Sequence, residues 1–174
     1  MPGAAGSAFA GRRSRIATFT AGISRYPGDA RLYRHRGHRY ITTRELDKAV
    51  TDLEKASALI AGQPDAVEPD GAPNSAGKPR STLHFNIWYH LGLAHYLLGD
   101  LEAARRAYRE CLKVSTNPDM RCATSHWYYM TLRRLGRNGE ARSLLKPIRR
   151  DLDVIENRSY LRLLLMYKGE LPVD

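Results

Sequence analysis

Apolar residues recur at helical spacing along most of this chain, and the stripe changes phase at short polar breaks. The clearest stretch is NIWYHLGLAHYLLGDLEAARRAYRECLKV, residues 86–114. Trp88, Leu91, Gly92 and His95 succeed one another at spacings of three, one and three, and Ala104, Tyr108 and Cys111 at four and three. Both stripes fit one face of an α-helix. Gly99-Asp100 stands between them, with glycine for a permissive turn and aspartate to cap the second helix. The pattern predicts two antiparallel helices in which the small Gly92 and Ala104 allow close approach. Trp88, Leu91, Tyr108 and Leu112 fill the space around them.

The same template fits twice more. Residues 30–63 carry Tyr33, Gly37, Tyr40, Ala49, Leu53 and Ala56 in register, with Arg36 where leucine is expected and Thr43 read as the cap of the second helix. Residues 122–155 carry Leu132, Gly136, Ala141, Leu145 and Ile148. They depart at Tyr129, which replaces the first-helix glycine, and at Pro147, which falls inside the second helix and is expected to break or kink it. The three units start 55 and 37 residues apart, one 34-residue period plus insertions of 21 and three residues. Arg12 to Tyr26 reads as a lone capping helix with Ile16, Phe19, Ile23 and Tyr26 on one face. Residues 157–168 read as a terminal helix that is apolar on nearly every side, which points to burial on the last repeat or to self-association.

The spacing of Trp88, Leu91, Gly92, Ala104 and Tyr108, with Pro118 two residues late, resembles the tetratricopeptide repeat, whose pattern is W-x2-L-G-x2-Y and then A-x3-F. His95 stands where that pattern has tyrosine. The resemblance implies an all-α fold, an antiparallel helix-pair solenoid (alpha-alpha superhelix) of three tetratricopeptide repeats with partial capping helices. The implied organisation is a disordered segment 1–11 and a single domain 12–174. That domain holds a capping helix 12–26, repeats 30–63, 85–118 and 122–155, an inserted loop 64–84 and a C-terminal helix 157–168. The resemblance also implies a protein- or peptide-binding scaffold or adaptor that uses a concave groove lined by the first helix of each repeat, without catalysis. Mapped onto this chain, the groove residues are Arg31, Arg34, His38 and Ile41, then Asn86, Tyr89, Leu93 and Tyr96, then His126, Met130 and Arg133. Arg31, Arg34, His38, Asn86, Tyr89, Tyr96, His126 and Arg133 are the chosen contacts. Arginine matches a carboxylate fork and tyrosine gives rigid contact area, so the expected partner segment is acidic or C-terminal.

Charge and composition modify this picture only at the edges. The 174 residues include 28 Lys+Arg against 18 Asp+Glu, a formal net charge of +10. With 43% hydrophobic and 26% charged residues, collagen, a coiled-coil rod and a fully disordered chain are excluded. The basic balance keeps one alternative open, a helical-repeat module that binds nucleic acid or another polyanion, to which RLYRHRGHRY, residues 31–40, adds interleaved cations and aromatics. Nucleic acid is the less favoured partner, because Tyr33, Gly37 and Tyr40 already serve helix packing. No apolar run approaches a membrane span. No apolar segment precedes a cleavage site near Met1, so the expected location is cytoplasmic, subject to any longer natural N-terminus. Cys111 and Cys122 read as free core thiols, a bridge or a redox pair. The six histidines show no H-E-x-x-H spacing, and no nucleophile elbow, phosphate loop or dinucleotide fingerprint occurs. The expectation is therefore no metal, no cofactor and no enzyme activity.

The insertion 64–84 holds Pro64, Pro69, Pro73 and Pro79 with Asp65, Glu68, Asp70 and Asn74. A loop of this length within a compact domain is functional or disordered. Together with the run FNIWYHLGLA, residues 85–94, it resembles a group of bacterial tetratricopeptide proteins. It is expected to support or cap the groove edge.

Overall fold

The structure, a computed structural model, describes residues 4–68, 74 and 77–172, with the side chains of all but 4–14. Among these residues the regular structure is eight α-helices and one isolated antiparallel bridge, between Val67 and Thr82. The fold class is all-α, built of packed helix pairs. The contacts group into two compact units, residues 1–64 and 65–174, where the sequence pattern suggests one domain.

The first unit holds α1 (Ala4–Arg25), α2 (Ala30–Thr42) and α3 (Leu46–Leu59). Helix α1 begins eight residues before its expected start at Arg12, and the expectation for residues 1–3 lies outside the described residues. Asp29 caps α2 by accepting the Arg31 N–H at 3.0 Å. Thr43 does not cap α3 as the sequence suggests. Its hydroxyl stays with the end of α2, at the Arg39 and Tyr40 carbonyls, and Glu45 is the residue before α3. The α2–α3 pair closes on Gly37, where an added Cβ would lie 2.8 Å from Leu53 Cγ. Arg36, the departure from the leucine pattern, is half-buried and forks onto Asp52 of α3 at 2.7 and 2.8 Å, with a third bond to Thr20 Oγ1 of α1 at 3.0 Å. A charged pair with every fork position used replaces an apolar contact.

The second unit holds α4 (Leu83–Leu98), α5 (Leu101–Val114), α6 (Pro118–Arg134), α7 (Asn138–Leu144) and α8 (Arg158–Tyr167). The Gly99-Asp100 turn falls where the sequence puts it, and Asn117 adds a cap that the sequence pattern did not mark. Gly99 ends α4 in the left-handed region at φ 85°, and Asp100 and Asn117 accept N–H bonds that start α5 and α6. Tyr108 is fully buried against Gly92, where a Cβ would meet the ring at 2.6–2.8 Å. Its hydroxyl has no hydrogen-bond partner, an orphan that ring packing outweighs. Cys111 is free and buried, beside a polar chain in which Ser115 and Thr124 join the end of α5 to α6. Burial pushes its thiol up to about 12 and that of Cys122 up to about 11, so neither reads as a redox centre.

Helix α7 stops at Leu144, two residues before Lys146, and Pro147 then keeps the chain in single turns. Ala141, Leu145 and Ile148 still reach the core. Tyr129, in place of the helix-A glycine, leaves the α6–α7 pair without the close approach that the other two pairs have.

Gly92→Ala is expected to lose about 1–3 kcal/mol by overpacking against Tyr108. Gly139→Ala, in open space inside α7, is expected to gain about 0.5–1 kcal/mol. Urea unfolding of the two variants checks both signs.

Candidate functional site

The groove residues expected in the first unit are only partly at the surface. Arg31 is exposed and forks back onto its own cap, Asp29, at 2.6 and 2.9 Å, which holds that carboxyl below its usual value. Arg34 is buried and donates to His35 Nδ1 at 2.8 Å, and His35 stacks on Phe19 of α1. Burial, then the cations Arg39 and Arg34 and finally His35, hold His38 down to about 4. Ile41 is core. In this unit the predicted cations belong largely to the helix packing itself.

The second unit brings its predicted residues together, and the C-terminal helix lies across them. Tyr160 of α8 stacks on His126 at 4.7 Å, accepts from Trp127 Nε1 at 3.4 Å and meets the Tyr89 hydroxyl at 3.4 Å. Tyr167, two turns on, stacks flat on Tyr129 at 4.6 Å and places its hydroxyl 3.3 Å from His126 Nδ1. Leu161, Leu164 and Leu165 bury the same side of α8. Burial lowers the His126 pKa, and burial together with the facing Tyr160 raises that of Tyr89. Asn86 is also engaged. Its amide donates to Glu68, a buried carboxylate of the inserted loop. Tyr96 remains half-buried, edge-on to Trp127, with the Arg134 guanidinium 4.8 Å above its ring. Leu93 and Met130 are half-buried. Arg133 is exposed and donates to the Tyr129 hydroxyl at 2.8 Å.

Sequence reasoning missed the residue that seats α8. Asp119 is 1% exposed, and its carboxylate accepts the backbone N–H groups of Ile155, Glu156 and Asn157 at 2.7–3.2 Å. Its own carbonyl accepts from the Asn157 side chain. Arg80 of the inserted loop lies 3.8 Å from the same carboxylate and 3.3 Å from Asp153. The signal available was an aspartate just after Pro118 in the three-residue insertion, but the N–H donors it accepts from lie 36 to 38 residues on. The described ends of the loop are tied down. Asp65 accepts the His84 N–H, Glu68 N–H reaches the Ser81 carbonyl, and Asn74 bonds Lys78 and Glu156. Pro69, Asp70 and Pro73 lie outside the described residues.

No group of three or more His, Cys, Asp or Glu converges among the described residues, and none of their helices is long and apolar enough to cross a membrane. Residues 85–118, the α4–α5 pair with its Gly92 seam, match the family model described as Tetratricopeptide repeat. The chain therefore carries a tetratricopeptide repeat over that stretch. A crystal structure of MamA shares the fold with a TM-score of 0.56 and 15% identity, over 89% of this chain and 77% of that one. The structure described as MamA MSR-1 C2 gives 0.53 and 16%, over 87% and 66%. At such identity the likeness is one of fold. No curated protein matches the chain.

Asp119→Ala strands three N–H groups and is expected to cost about 2–4 kcal/mol, with faster proteolysis between Asp153 and Arg158. Unchanged urea unfolding would show that α8 is held by packing alone. Because His38 titrates below its ordinary 6.5 when folded, the unfolded chain binds the extra proton first. Its contribution is complete above pH 6.5, declines as pH falls towards 4, and totals on the order of 3 kcal/mol. Unfolding free energies of wild type and His38→Gln at neutral and mildly acidic pH should diverge in that sense.

Proposed function

We propose that this chain is a scaffold or adaptor that binds a protein or peptide partner and performs no chemistry of its own. The observation that supports it best is the tetratricopeptide repeat at 85–118, set beside a surface of exposed arginines on aromatic rings. Arg133 and Arg134 are exposed at the end of α6, and Tyr96 and Tyr129 lie beneath them. This surface suits an acidic segment by charge and by flat contact area. The positions nearer the start of α6 are covered by α8, so contact falls on the outer rim. The net charge of +10 favours the same sign of partner.

Affinity capture with the full chain, at low and high salt and with and without nuclease, tests the reading. A discrete protein that survives nuclease and is lost with Arg133→Glu is expected. Recovery of nucleic acid alone, released steeply by salt as counterions return to the phosphates, would replace the scaffold with a polyanion-binding module. Light scattering on the purified chain tests the self-association expected through the C-terminal helix.

A further inference from the structure

At the far end of the second unit, α6, α7 and α8 enclose a cleft of about 340 Å³ lined by Tyr129, Arg133, Asn138, Arg142 and Tyr167. That volume falls at the lower end of ligand-sized sites. Its floor is built. The Tyr129 and Tyr167 rings lie parallel, 7° apart in plane and 4.6 Å between centroids, and both are held in the core around α8. The Tyr129 hydroxyl accepts from Arg133 at 2.8 Å, which fixes one edge of that guanidinium and leaves the other free. Arg142 stands on α7 across the cleft, exposed. Among the described residues no carboxylate pairs with Arg133 or Arg142 and none lines the cleft. The nearby acids are already engaged, Glu140 by Arg137, Glu102 by Arg105 and Arg137, and Glu170 by Lys168. Two guanidinium groups therefore face one small aromatic-floored space together with an amide.

We propose that this cleft is a carboxylate-binding site for an acidic peptide segment. One side-chain or terminal carboxylate is gripped between Arg133 and Arg142 with Asn138 donating. Its hydrocarbon stem, or an adjacent apolar side chain, lies on the Tyr129–Tyr167 rings. Planar guanidinium forks match the planar carboxylate, and the ring floor favours an apolar stem that free phosphate lacks. Asn138 adds the donor that completes the second oxygen. The proposal deepens the scaffold reading and depends on it only for the source of the peptide.

The probe is a labelled six-residue peptide of alternating glutamate and leucine, its binding to the full chain read by fluorescence anisotropy at low salt. Its glutamine counterpart, inorganic phosphate and a short single-stranded oligonucleotide serve as competitors. Binding of the glutamate peptide at least roughly tenfold tighter than the glutamine peptide is expected, and Arg133→Gln/Arg142→Gln is expected to lose roughly tenfold or more. Arg106→Gln/Arg109→Gln removes the same charge from α5, outside the cleft, and is expected to stay within about twofold. Equal loss in both double variants would overturn the proposal in favour of a diffuse field effect. So would preference for phosphate or the oligonucleotide over the glutamate peptide, or binding unchanged in the cleft variant while circular dichroism shows it folded. Should the peptide fail while lysate capture still recovers a protein, the cleft is refuted and the scaffold stands. The reverse pattern refutes the scaffold and keeps the cleft.

Discussion

Close approach of two helices at a glycine governs how this chain can pack. At Gly37 and at Gly92 the backbone of the first helix in a pair comes so near the second that a Cβ would fall 2.8 Å from Leu53 or 2.6 Å from the Tyr108 ring. Interiors are packed at crystal-like density, so such a contact leaves no slack for a larger residue. It also dictates what surrounds it. Tyr108 can be wholly buried only because Gly92 yields the space, and its burial in turn leaves one hydroxyl without a partner. The small Ala49 and Ala104, both fully buried, extend the same tight packing along each second helix.

The third pair lacks this constraint and packs differently. Tyr129 occupies the glycine position, so α6 and α7 have no such seam. Helix α7 is seven residues long and Pro147 prevents it from continuing. Apolar area that a full second helix would have covered needs another cover, and α8 supplies it. Leu161, Leu164 and Leu165 join the core that holds Leu132, Ala141, Leu145 and Ile148. Tyr129 finds its stacking partner in Tyr167 of the same helix. The Asp119 carboxylate then fixes the approach to α8 by taking three successive N–H groups. The departures from the repeat and the seating of the terminal helix are one physical event.

What the sequence revealed and what it hid divide along the range of the interactions. Helix pairs, the Gly99-Asp100 turn and the packing roles of Gly92, Ala104 and Tyr108 are local or set by a fixed period, and all were readable. The Pro147 break was readable too, because proline acts on its own helix. Arg36 looked like a flaw in the pattern, since its compensating Asp52 lies on the next helix and an ion pair has no periodic signature. Helix α8 was legible as a helix but not as the cover of His126 and Tyr89. Its apolar circumference does not say which neighbour takes which side. The Asp119 to Ile155–Asn157 contact and the Glu68–Asn86 pair join segments through the fold alone. The groove template assigned outward directions to side chains that loop 64–84 and α8 then engaged.

That engagement bears on where a partner can bind. Exposing the inner face of α8 would return three leucines to water, at roughly 1.5–3 kcal/mol each, and strand the groups that Asp119 satisfies. The sum, on the order of 5–9 kcal/mol from the leucines, is comparable to the whole binding free energy of a micromolar complex, about 8 kcal/mol. A partner that displaced α8 would have to recover all of it in new contacts before any net affinity appeared. One that meets Arg133, Arg134 and Tyr96 finds them already held against aromatic rings, with Arg142 exposed beside them. The main cost left to it is the ordering of its own side chains. By this comparison α8 belongs to the folded body of the second unit, and the scaffold reading proposed above puts its partner on the basic rim that α8 leaves open.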